Sequence, residues 1–236
     1  MKKLLVLTII FGLAAVGAWG QGILGDILAG KLIDPEVGVY AWYEITDAAS
    51  GRKLWLRLAI VDKERVKLRT GYWLETEVKP QVGFPEIYKM LLTGPANDAD
   101  NVHRILLQQD GEPPREIPVE DTEQPEEEPK DPERKSLGPE TVTYGQETIE
   151  AEHIVIGAGE EKVEVWVNDK VRPMGVVRLV SQDGELLLQR YGTGGPDAQS
   201  ALSPEAGEVP EETRHDVRVH VENGVSTNFS GRDGKE

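Results

Sequence analysis

The sequence predicts a mainly β protein, an antiparallel meander with one or two short helices and a C-terminal β-hairpin, on three observations. Apolar residues alternate with polar ones over long stretches, short β-rich runs are separated by glycine- and proline-bearing turns, and helical spacing is scarce. Leu54, Leu56, Leu58 and Ile60 alternate with Trp55, Arg57 and Ala59, while Tyr72, Leu74, Thr76 and Val78 alternate with Trp73, Glu75 and Glu77. Both runs predict half-buried strands. Trp42 to Ile45 predicts another, and Ala48-Ala49-Ser50-Gly51 is the turn that joins it to a strand starting near Lys53. Phe84 to Leu92 reads either as a helix opened by Pro85 or as a strand buried on both faces. The strand is preferred, because Val102 to Gln109 can pair with it across a loop at 94–100. Further along, Glu152 to Ile156, Lys162 to Asn168, Gly175 to Ser181 and Leu186 to Tyr191 are short β-rich segments at the spacing of a meander. Val217, Val219 and Val221 precede Asn223-Gly224, so 214–230 is expected to form a terminal hairpin.

Helical spacing is confined to Ile23, Leu24, Ile27, Leu28 and Leu32, which predicts an amphipathic helix from Gln21 to Ile33, ending before Pro35. Before it, Met1 to Gly20 reads as a secretory signal peptide: Lys2 and Lys3, an apolar run from Leu4 to Val16, then Ala18-Trp19-Gly20 as the cleavage site. The run is short for a membrane span, so no stable anchor is expected. Residues 21–192 then form the expected main domain. Two polar stretches interrupt the pattern. Asp110 to Glu140, dense in proline and acid, is expected to be a mobile loop at 110–140, with a partner-docking tail as the other reading, and Thr193 to Thr213 reads as a linker.

Composition narrows the function. The chain carries 42 acidic against 26 basic residues, a net charge of −16, and no basic cluster, so nucleic-acid binding is not expected. Without cysteine it has no disulfide, thiolate nucleophile or cysteine zinc site.

The run Val163-Glu164-Val165-Trp166-Val167-Asn168-Asp169-Lys170-Val171-Arg172-Pro173-Met174-Gly175-Val176-Val177, preceded by Thr148-Ile149-Glu150-Ala151-Glu152-His153 and followed by Arg190-Tyr191-Gly192, resembles a pattern of uncharacterised exported bacterial proteins. Val39-Tyr40-Ala41-Trp42-Tyr43-Glu44 fits the same group, so the resemblance covers most of 37–192. These proteins are similar to the lipoprotein-localisation carriers and related half-barrel proteins. The resemblance implies a strongly curved antiparallel sheet, a half-barrel, wrapping an apolar cavity closed by helices. It also implies a periplasmic location and an acyl-chain ligand, although a fold alone does not establish a ligand. The acidic insert and the C-terminal hairpin depart from the pattern.

Trp55, Trp73 and Trp166 each lie on the strand face opposite the main aliphatic row, and are the expected ligand-binding residues if that face lines a concavity. Ordinary packing is the alternative. The histidines, His103, His153, His215 and His220, offer little: His215 and His220 fall on opposite faces of a strand, and His153 between Glu150 and Glu152 reads as part of a solvated face. No nucleophile elbow, phosphate loop, zinc-protease helix or dinucleotide fingerprint is present, and Gly157-Ala158-Gly159 reads as a turn. No catalytic residue, metal or cofactor is expected. The expectation is therefore an exported, non-enzymatic protein, periplasmic or secreted outside the cell, that binds or carries a lipid or lipoprotein acyl chain. The alternative is an envelope module that docks a protein partner through an exposed strand or the C-terminal hairpin.

Overall fold

The computed structural model describes residues 32–96, 98–119, 134–157, 159 and 162–202. Eleven strands follow one another: β1 (Val39–Asp47), β2 (Lys53–Val66), β3 (Arg69–Pro80), β4 (Glu86–Leu92), β5 (Val102–Gln108), β6 (Arg115–Ile117), β7 (Arg134–Tyr144), β8 (Glu147–Ile156), β9 (Val163–Val167), β10 (Val176–Ser181) and β11 (Gly184–Thr193). They form a single open antiparallel sheet in the order β6-β5-β4-β3-β2-β1-β11-β10-β9-β8-β7. Two meanders are thus joined at the middle, where the last strand pairs with the first. Among the described residues there is no α-helix, and 3-10 turns include Ala99–Asn101 and Pro196–Ala198.

Local chemistry explains the connections. Asp47 Oδ1 accepts from the Ser50 amide at 2.7 Å and the Ser50 hydroxyl at 2.6 Å, which builds the β1–β2 turn around the segment expected from sequence. Between β9 and β10 the chain loops through Pro173, whose carbonyl accepts from the Ile33 amide at 2.8 Å. Gly175 ends that loop at φ +76°, and a Cβ there would run into Ile33 Cδ1, so both backbone conformation and space require glycine.

The alternation sets one face as the core. Register places Ile154, Val165, Leu179, Leu186, Ile45 and Leu54 in one continuous row across six strands. A second row runs Tyr191, Ala41, Leu58, Thr76, Tyr88, Leu107 across β11 and β1 to β5. Tyr43, Leu56, Leu58 and Ile60 are wholly buried there. Fourteen residues in β2 and twelve in β3 make this pair the longest in the sheet.

Two expectations need correction, and three lie outside the described residues. The loop expected over 110–140 contains two strands. Ile117 of β6 stands opposite Ile105, and β7 pairs along β8 because Pro139, which lacks an amide hydrogen, sits on an edge strand. The first part of the linker expected from 193 packs on the sheet: Thr193 ends β11, and 196–201 is held against it by a buried charge network. The helix at 21–33, except Leu32 and Ile33, and the hairpin at 214–230 lie outside the described residues, as does the signal peptide.

Candidate functional site

The apolar face is the first candidate surface. Its rows continue on both sides of β1, and the one polar side chain within the Tyr191-to-Leu107 row, apart from the tyrosines, is Thr76. Two tyrosine hydroxyls of this face are engaged: Tyr43 Oη, in the adjacent row, donates to the Val176 carbonyl at 3.0 Å, and Tyr88 Oη donates to Glu86 Oε2 at 3.2 Å. Burial pushes both phenols above the ordinary tyrosine range, and Glu86 is raised by burial as well. Thr76 Oγ1 is buried without a hydrogen-bond partner, alone in this among the described residues.

The opposite face carries the tryptophans, and it is polar. Trp166 stacks on His153 with centroids 4.1 Å apart and 17° between planes; Arg178 lies 4.8 Å from the Trp166 centroid, and the Trp166 Nε1 donates to Glu140 at 2.8 Å. Trp73 has Lys89 and Arg104 at 5.2 and 5.4 Å from its ring and donates to Glu64 at 3.3 Å. Trp55 is different, with 40% of its surface exposed. The three do not converge. Trp166 and Trp55 stand in one cross-strand row but four strands apart, about 19 Å at ordinary strand spacing. Trp55 sits opposite Lys79, six residues and about 20 Å along β3 from Trp73.

Sequence reasoning missed Trp42, which shares the arrangement of Trp73 and Trp166. Lys79 and Arg190 lie 5.1 and 5.3 Å from its ring, and Nε1 donates to Asp197 at 3.0 Å. The missed signal was parity: Trp42 alternates with Ala41 and Tyr43 just as Trp55 alternates with Leu54 and Leu56.

Beside Trp42 lies the most buried ionic cluster. Arg57 is only 2% exposed and faces two carboxylates, Nη2 to Glu75 at 2.5 Å and Nε to Glu77 at 2.8 Å. Its remaining donor, Nη1, meets the carbonyls of Asp197 and Gln199 at 2.9 and 3.1 Å. Glu75 also accepts from the Ser200 hydroxyl and from the Ala201 amide at 2.7 Å, and Lys79 pairs with Glu77 at 3.0 Å. Two cations and two carboxylates balance, and the chain at 197–201 supplies the remaining hydrogen bonds.

His153 contacts a carboxylate at each ring nitrogen, Glu164 at 2.8 Å and Glu140 at 3.2 Å. Glu164 is held below the usual carboxylate range, first by the hydrogen bond from Lys162 and also by that from His153. The imidazolium form donates to both carboxylates, whereas a neutral ring donates to one. His103 instead shares a 2.8 Å hydrogen bond with Thr93, while His215 and His220 lie outside the described residues. Among the described residues no group of three or more His, Asp or Glu is placed to hold a metal ion, and no helix is long and apolar enough to cross a membrane. No protein-family model matches this chain, and no curated protein matches its sequence.

Proposed function

We propose that this chain is an exported, non-enzymatic protein that binds or carries a hydrophobic ligand, a lipid or lipoprotein acyl chain, against the apolar face of a strongly curved sheet. The observation that carries the reading is the unbroken apolar row from Ile154 to Leu54, six strands wide on one face of an open sheet. Curvature is supported by a contact that a flat sheet would forbid. β7 and β11 are four strands apart in the order, about 19 Å at ordinary spacing, yet the rings of Tyr144 and Tyr191 have centroids 6.1 Å apart. The aliphatic face is the better seat for an acyl chain than the tryptophan face, because the Trp73 and Trp166 rings already hold cations and their indoles already donate to carboxylates. Trp55 is the expected ligand-binding residue that keeps an exposed ring. The periplasm is the preferred location, with release outside the cell as the alternative.

A second reading, an envelope module that docks a protein partner by strand addition, is favoured by β7. This eleven-residue strand lies at the sheet edge, is mostly exposed, and carries Leu137 at its surface. Arg134, Lys135 and Pro139, with the register shift between Ser136 and Gly138, work against indiscriminate pairing at that edge.

Native mass spectrometry of protein from the exported fraction, followed by organic extraction, separates the two. A reproducible added mass released as one lipid class supports the carrier. A bare mass that persists after incubation with envelope lipids sinks it and turns attention to β7.

A further inference from the structure

We propose that Thr76 is the polar anchor of the ligand site, its hydroxyl donating to the carbonyl of an acyl ester or amide; this rests on the carrier reading above. Thr76 is wholly buried at the middle of β3, between Leu58 of β2 and Tyr88 of β4, and its Oγ1 has no partner. A buried hydroxyl left unpaired costs stability, and valine would fill the same space without that cost. The phenol beside it does not relieve it, since Tyr88 donates to Glu86. Interior polar groups without partners are uncommon enough to call for a specific explanation.

Charge decides what kind of group the hydroxyl meets. Arg57, Glu75 and Glu77 belong to the other face by strand parity, and between Tyr191 and Leu107 the row of Thr76 holds no cation. A carboxylate or phosphate brought there would be buried without a counter-ion. A neutral carbonyl accepts the Thr76 proton and leaves no charge behind. Its attached methylenes then run along the flanking Leu, Ile and Met side chains. The ligand class is therefore an acylated amphiphile whose ester or amide lies at β3, with its charged head beyond the apolar rows.

Two lysophosphatidylcholines of equal chain length, one acyl and one alkyl ether, differ chiefly in that carbonyl. Calorimetric titration of the full chain with each is expected to show about a fivefold preference for the acyl form, the worth of one ordinary hydrogen bond. Thr76→Val is expected to abolish the preference by weakening the acyl form alone, and to melt no lower than the wild type. Thr76→Ser keeps the preference, and Thr76→Ala loses it if valine is not accommodated. Equal affinity of the wild type for the two lipids, or a preference that survives in both hydroxyl-free variants, overturns the anchor and leaves the carrier standing. Failure of the wild type to bind either lipid overturns both.

Discussion

Replacing Arg57 by methionine removes the hub of a buried charge network and keeps most of the side chain's volume. Glu77 would retain Lys79 alone, whose side chain is 46% exposed, and Glu75, fully buried, would retain only the neutral donors Ser200 and Ala201. Breaking a buried pair from one side costs about 3–5 kcal/mol, because the charge left behind is neither hydrated nor balanced. Against a total stability of about 5–15 kcal/mol that loss is large, and corresponds to roughly 6–20 °C in melting temperature for a domain of this size. The two carbonyls of Asp197 and Gln199 lose their donor in the same step, so the segment at 197–201 should loosen. Urea unfolding followed by tryptophan emission measures the first effect, and hydrogen exchange at the Ala201 amide measures the second. Adding Glu75→Gln, which removes the stranded charge, should restore more than 1 kcal/mol. A loss below about 1 kcal/mol for Arg57→Met, with unchanged exchange at Ala201, would refute the reasoning, because that is how a solvated surface pair behaves.

Two further substitutions probe separate parts of the fold. Tyr43→Phe removes the bond to the Val176 carbonyl and should cost about 1 kcal/mol near neutral pH. Burial raises the folded phenol, so the unfolded chain releases its proton first, from about pH 10, and stability falls as pH rises beyond that value. Urea midpoints at pH 8 and 10.5 should therefore converge for wild type and Tyr43→Phe, whereas parallel curves would speak against a buried neutral phenol. Gly175→Ala forces a side chain into φ +76° and against Ile33 Cδ1, and should destabilise by about 1–2 kcal/mol or more. Shortening Ile33 to alanine in the same chain should relieve only the steric part of the effect, as judged by thermal melts.

The strands were legible because their alternation is a local property. Leu54 to Ile60 and Tyr72 to Val78 show period two over long runs, and the structure pairs Leu56 with Val78 and Leu58 with Thr76 on one face. Phe84 to Leu92 was ambiguous by period, and pairing with β3 and β5 makes Glu86 to Leu92 a strand. What alternation does not encode is which strands become neighbours. Nothing local says that β1 pairs with β11, that Tyr43 reaches Val176 of β10 133 residues away and Trp42 reaches Asp197 155 residues away, or that two edge strands flank the acidic stretch. Arg115–Ile117 and Arg134–Tyr144 were hidden by charge and proline, because an edge strand tolerates both. The candidate site was legible as a face and not as a set of partners. The parity of Trp55, Trp73 and Trp166 placed them opposite the aliphatic rows, whereas the cations on Trp73 and Trp166, and the likeness of Trp42, depend on cross-strand register. The buried Arg57 network was equally invisible, since Glu75 and Glu77 on an alternating strand read as solvent-facing until the chain at 197–201 covers them.

The central claim is that a hydrophobic ligand lies on the aliphatic face. Methyl and indole NMR spectra of the full chain, recorded with a spin-labelled fatty acyl probe, test it most directly. The account predicts that methyl signals of Leu56, Leu58, Leu74 and Met90 broaden together while the indole signals of Trp73 and Trp166, on the other face, stay sharp. Broadening confined to the indoles, or none at saturating probe, would contradict it.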